Sequence, residues 1–136
     1  MGQNTKTGEE GFTLIEVIIV LSIIGILVGL GLPQFQSAGR RAREAVLKED
    51  LFQFRKVIDQ YRTDKGKYPT SLQTLADEHY LRSIPVDPIT KSAATWVEVR
   101  ETPPPDELVS GMELGITDVH SGSEEKGMDG TPYNTW

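Results

Sequence analysis

Glu16 is the residue least suited to its surroundings. It is the only charge among the 21 residues from Phe12 to Leu32. A carboxylate within a membrane-spanning helix costs about 2.5 to 3.5 kcal/mol on insertion scales, more where it lacks a partner. Neutralising it requires a cation at the same depth, and the run contains no Lys or Arg. A chain cut before Phe12 would create one. The new α-amino group would lie four residues from Glu16, level with the Glu16 of a neighbouring copy. The chemistry such an amine would allow is an ion pair with Glu16 between copies.

A second group of chemically able residues lies at Asp118-Val119-His120-Ser121-Gly122-Ser123-Glu124-Glu125-Lys126-Gly127-Met128-Asp129-Gly130. It is rich in oxygen donors and turn glycines, which suit hard cations such as calcium, although its spacing is not that of an EF-hand loop. Catalysis has no such support. His79 and His120 lack a second base or a marked nucleophile beside them, and there is no phosphate loop, His-x-x-x-His pair or nucleophile elbow. The chain is expected not to be an enzyme.

The element that positions Glu16 follows from length. At about 1.5 Å per residue, 21 residues give a helix of about 31 Å, enough to cross a hydrocarbon core of about 30 Å. Gly25 and Gly29 form a Gly-x-x-x-Gly pair with Ser22 on nearly the same face, a spacing that lets helix backbones approach closely in a membrane. Gly29, Gly31 and Pro33 weaken the helix at its exit, so a local loss of helix is expected there.

Beyond Gln34 the apolar residues form a stripe at spacings of three and four: Phe35, Ala38, Ala42, Ala45, Val46, Leu47, Leu51, Phe54, Ile58 and Tyr61, widened by Phe52 and Val57. This predicts an amphipathic helix running to about Lys65, with Gly66 as its stop. A short helix is expected from Thr70 to Tyr80, capped by Thr70 or Ser71, followed by an extended connector through Ile84-Pro85-Val86-Asp87-Pro88. Strands are expected at Thr95 to Arg100 and Leu114 to His120, and a third near Pro132 to Trp136. They would bury Trp96, Val99, Ile116 and Trp136 against the stem. The predicted fold is α+β: a long N-terminal helix, half transmembrane and half amphipathic, with a small head of one short helix and two or three antiparallel strands.

The residues Gly11, Phe12, Thr13, Leu14, Ile15 and Glu16, with the apolar run and Pro33 behind them, resemble the prepilin family, which includes type IV pilins and the pseudopilins of type II secretion. The resemblance implies that a membrane prepilin peptidase cuts between Gly11 and Phe12 and methylates the new N-terminal Phe12. It implies that Glu16 is the assembly glutamate and that the segment around Pro33 melts in a filament. Lys67-Tyr68-Pro69, Ser71-Leu72, Leu75, Tyr80-Leu81, Ile84-Pro85 and Asp87-Pro88 are similar to the head of the G-type major pseudopilins.

The division implied is a leader at 1–11, a transmembrane and filament-core helix at 12–33, an amphipathic stem at 34–66 and a periplasmic head at 67–136. The partners implied are other copies of the chain, the peptidase, an inner-membrane assembly platform with its ATPase, minor pseudopilins and membrane lipid. The implied location is the bacterial inner membrane, single-pass with the head in the periplasm, then a periplasmic filament. The resemblance also implies calcium in the C-terminal loop, with Glu125 and Asp129 as its carboxylates. There the chain has Glu125-Lys126 in place of the family's Asp-Gly.

Charge and composition frame the alternatives. Residues 34–67 carry nine Lys or Arg against five Asp or Glu, and residues 68–136 four against twelve, a basic stem with an acidic head. This suggests pairing of stem and head between subunits. The acidic head argues against nucleic acid as a partner, and the absence of cysteine excludes a disulfide framework. Residues before the span hold Lys6 against Glu9 and Glu10, whereas Arg40, Arg41 and Arg43 follow it. Loop charge thus opposes the cytoplasmic N-terminus that the resemblance implies. The other readings are a type IV pilin for adhesion, motility or DNA uptake, and a single-span protein with a periplasmic binding head.

Overall fold

The computed structural model describes Gly2 and residues 11–136. The expected leader lies almost wholly outside the described residues. In chain order the elements are α1 (Leu14–Lys65), α2 (Leu72–Asp77), β1 (Val97–Arg100), β2 (Ile116–His120) and a short 3-10 turn at Tyr133–Thr135. Contacts divide the chain into one unit ending at Gly39 and a second from Arg40 to Trp136.

In the first unit α1 is apolar on every face, and its large side chains from Leu14 to Leu32 are all exposed. The helix meets the length and hydropathy needed to span a membrane. The loss of helix expected at its exit is not present in this single chain, because α1 continues through Pro33. Proline removes one rung of the ladder, the bond its own nitrogen would donate to Gly29, and the neighbouring turns carry the helix across it.

In the second unit the same helix is one-sided. Leu47, Leu51, Phe54, Ile58 and Tyr61 are buried at alternating spacings of four and three, the pattern of a helix face packed on a core. Phe35 and Val46, at the start of the expected stripe, are exposed. Val57 joins the core, whereas Phe52 is 59% exposed. Gly66 adopts φ +72° and donates its N–H to the Arg62 carbonyl, ending α1 in the left-handed conformation that suits glycine.

Ser71 caps α2 by accepting the Thr74 N–H at 3.1 Å. Leu72 and Leu75 of that helix close one side of the core. Proline connector and core meet at Trp96, whose indole N–H donates to the Pro85 carbonyl at 2.8 Å while its ring meets Phe54 edge-on at 4.9 Å.

β1 and β2 pair antiparallel, with Val97 opposite His120 and Val99 opposite Asp118. The register then shifts so that Arg100 faces Ile116. Ile116 and Val119 are buried, whereas Val99 and Trp136 are only partly so. The third strand expected near the C-terminus does not form. Pro132 lacks a donor for a ladder and makes only an isolated bridge with Lys126, after which Tyr133–Thr135 winds into the 3-10 turn. This turn places the buried Tyr133 ring in the core, 5.0 Å from Trp136 in edge contact.

Candidate functional site: the N-terminal segment and the stem-to-loop contacts

Gly11 and Phe12 stand in irregular, exposed chain just before α1, and Phe12 is 87% exposed. The bond between them therefore lies outside regular structure, as a peptidase requires. Thr13 and Glu16 then close the helix start reciprocally. The Thr13 N–H donates to Glu16 Oε2 at 3.2 Å, and the Glu16 N–H donates to Thr13 Oγ1 at 3.3 Å. This is a capping box, which satisfies two of the orphan N–H groups of a helix start. The Thr-x-x-Glu spacing that encodes it is plain in Thr13-Leu14-Ile15-Glu16, but the sequence reading used Glu16 only as a charge.

Gly25 and Gly29 have open space where a Cβ would stand. Ser22 satisfies its hydroxyl within the helix, donating to the Ile18 carbonyl at 2.7 Å. Together with exposed side chains on all faces, this leaves the small-residue face open for another helix.

The C-terminal loop is closed by its own hydrogen bonds. Glu125 is exposed, and its carbonyl accepts the Tyr133 N–H at 2.9 Å. Asp129 Oδ1 accepts both the N–H and the hydroxyl of Thr131, at 2.9 and 2.7 Å. Those bonds hold the Asp129 carboxyl below the ordinary aspartate range. Among the described residues no three His, Cys, Asp or Glu side chains gather as a metal site would need. Glu125 and Asp129 thus share a loop in which Asp129 Oδ1 and the Glu125 carbonyl are engaged by the loop's own donors.

What grips this loop is the stem. Arg40, Glu44 and Lys48 follow at intervals of four along α1, a spacing that lines them up on one face. Glu44 is only 8% exposed, and its Oε1 accepts the Met128 N–H and the Tyr133 hydroxyl, both at 2.8 Å. Arg40 lies 3.7 Å from the same oxygen and donates to the Lys126 carbonyl. Lys48 stands over the Trp136 ring, 4.8 Å from its centroid. Arg55, one turn beyond Leu51, pairs with Asp118 at 2.8 Å and donates to the Trp136 carbonyl at 2.9 Å. Burial pushes the Tyr133 phenol above its ordinary range, so it keeps the proton it donates to Glu44.

A second buried acid organises the connector. Asp87 has no exposed surface; it accepts N–H bonds from Ile89 at 2.8 Å and Thr90 at 3.3 Å, and the buried Ser121 hydroxyl at 2.5 Å. It fastens the Pro85-to-Pro88 stretch to the end of β2. Asp87 and Glu44 both escaped the sequence reading as functional residues.

Comparison with known proteins matches the sequence to a family. Residues 6–32 fit the model of the prokaryotic N-terminal methylation motif. The type II secretion system core protein G of Pseudomonas aeruginosa is 33% identical over 96 residues, which covers 59% of this chain and 68% of that protein. The chain belongs to the core protein G family of type II secretion systems. The core protein G of Klebsiella pneumoniae is 30% identical over 96 residues, covering 69% of its length. That of Aeromonas hydrophila is 27% identical over 141 residues, covering 92% of this chain and 87% of its own. No solved structure matches the chain significantly.

Family membership gives the chain the role of a pseudopilin subunit. The motif, the apolar helix and the relatives together fit a single-pass inner-membrane protein.

Proposed function

We propose that this subunit polymerises through its spanning helices into a helical pseudopilus that assists protein export across the outer membrane. The subunit waits in the inner membrane with its head in the periplasm. A prepilin peptidase removes the leader between Gly11 and Phe12, and Phe12 becomes the N-methylated first residue. An assembly platform and its ATPase supply the work of extraction, and minor pseudopilins complete the filament.

The observation that carries this reading is the isolated Glu16 in an otherwise uncharged 21-residue run. Its carboxylate already accepts the Thr13 N–H, which leaves its second oxygen for a partner. In the polymer that partner is the Phe12 amine of a neighbouring copy, which offsets the buried charge and sets the register between subunits. In the single chain the Gly25 and Gly29 face has no occupant, and in the filament it becomes a helix contact.

The test is the intact mass and N-terminal sequence of the protein from membranes of a host with its own peptidase. A mature chain starting at N-methylated Phe12 is expected, and one retaining the leader would remove the partner assigned to Glu16. Glu16→Ala is expected to insert normally and to form no filaments; normal filaments from that variant would refute the pairing.

A further inference from the structure

A loop rich in oxygens and glycines needs something to hold it to the head. The family resemblance implies a calcium ion at this place, yet several backbone oxygens of the loop and Asp129 Oδ1 are already engaged, which leaves the Glu125 carboxylate and Asp129 Oδ2 as its free carboxylate oxygens. Calcium takes six to eight oxygens at about 2.3 to 2.6 Å. Here the Glu125 carbonyl accepts from Tyr133, Gly127 from Gly130 and Thr131 from Gly127. The Lys126 carbonyl accepts from the guanidinium of Arg40, and Asp129 closes an Asx turn on Thr131. Arg40 and Lys48 bring two fixed positive charges to this loop, which offset part of its acidic charge and weaken its attraction for a divalent cation.

From these contacts we infer that Arg40, Glu44 and Lys48 form a clasp that fastens the C-terminal loop to the stem, in the role the resemblance gives to calcium. Each part supplies one thing an ion would supply. The Arg40 guanidinium is the cation, placed at a backbone carbonyl of the loop. Glu44 is a buried anion that gathers two donors on one oxygen, the Met128 N–H and the Tyr133 hydroxyl, from positions five residues apart in the loop. Lys48 caps the Trp136 ring, which itself donates to Thr131 Oγ1 at 2.6 Å and so closes the loop upon itself. Gly127 belongs to the clasp by its lack of a side chain, since a Cβ there would stand 2.5 Å from the Trp136 ring. An ion can be removed by a chelator. Side chains of the stem cannot, so the head of this subunit holds its loop whatever the calcium concentration around it.

The clasp is drawn from contacts within one chain and does not depend on polymerisation. Its test is therefore made on the unassembled full-length subunit in detergent micelles, where a failure of the filament reading would not disturb it. Thermal unfolding is followed by tryptophan signal in about 5 mM calcium chloride and in excess EGTA; a resident site of even millimolar affinity would shift the midpoint between the two. No shift is expected for the unaltered chain. Glu44→Ala, which strands the buried Tyr133 hydroxyl and the part-buried Met128 N–H, is expected to lower the midpoint by about 5 to 10 °C in both buffers, and Arg40→Met by less.

Limited trypsin cleavage after Lys126 separates loop release from unfolding. It is expected to quicken about tenfold or more in Glu44→Ala at a temperature where the variant is still folded, following the population of the opened loop. In case Glu44→Ala does not fold, Arg40→Met carries the same cleavage readout. A calcium-dependent rise in the midpoint of the unaltered chain would overturn the inference. So would unchanged cleavage at Lys126 in both variants.

Discussion

Two acids on the stem are held in opposite ways, and the difference sets what replacing them does. Glu44 is buried with donors pointed at it, so its charge is satisfied. Asp50 is partly buried with other acids near it. Burial first, then the charges of Asp87 and Glu49, push the Asp50 carboxyl above the ordinary aspartate range. A raised carboxyl contributes stability only where it is protonated, below its unfolded value, and loses that contribution as pH rises through the folded one. At neutral pH the ionised Asp50 therefore works against the fold. Asp50→Asn is expected to stabilise the head at pH 7 by about 0.5 kcal/mol once solvent screening is allowed for, or about 2 to 4 °C. The gain over the unaltered chain is expected to vanish near pH 3, where both are neutral at this position. Parallel melts at the two pH values check it, and an equal gain at both would assign the effect to packing instead of charge.

At the scale of elements, the end of α1 isolates a backbone effect. Gly66 sits at φ +72° with nothing within 4 Å of where a Cβ would be. Gly66→Ala therefore meets no steric obstacle, and what it costs is the left-handed conformation alone, about 1 to 2 kcal/mol. A fall in midpoint of about 4 to 10 °C, measured on the same detergent-solubilised chain, is the expected result. That stop was legible in the sequence, as were the extent of α1, the Ser71 cap and both strands, because each is written within a few neighbouring residues. Glu44 was not legible for the converse reason. An acid in an amphipathic helix reads as part of the solvent face, and the partners that make it a core residue lie 84 and 89 positions further along. The C-terminus misled in a related way. A third strand is expected near Pro132 to Trp136, but Pro132 cannot join a ladder, and burying Tyr133 against the stem takes a tight turn. The capping box of Thr13 and Glu16 is local and readable, because its two members stand three residues apart.

For the molecule as a whole, the two units differ in what completes them. The unit from Arg40 to Trp136 buries its own core, and among the described residues no buried side-chain polar atom there lacks a partner. The spanning half of α1 buries nothing within the chain: the most apolar window of the helix is 0% buried. Lipid covers that surface before assembly. In the proposed filament other copies cover it afterwards, and helices in such a core associate by close packing because lipid is as apolar as they are. This separation makes the contribution of Gly25 and Gly29 measurable. A Cβ at either position would meet open space, so larger side chains there start with no obstacle in the single subunit. Leucine at both positions also raises helix propensity and keeps the span apolar. The double variant Gly25→Leu with Gly29→Leu is therefore expected to insert, to be cut at Gly11 and to melt like the unaltered subunit. Its filaments are expected to fall by at least about tenfold, as backbones that must approach closely are held apart. Membrane fractionation and head melting report the first part, and filament yield by electron microscopy the second. Normal filaments from the double variant would place the helix contact on another face of α1. A loss of insertion would mean that the glycines act within the single chain, against the open space the structure shows around them.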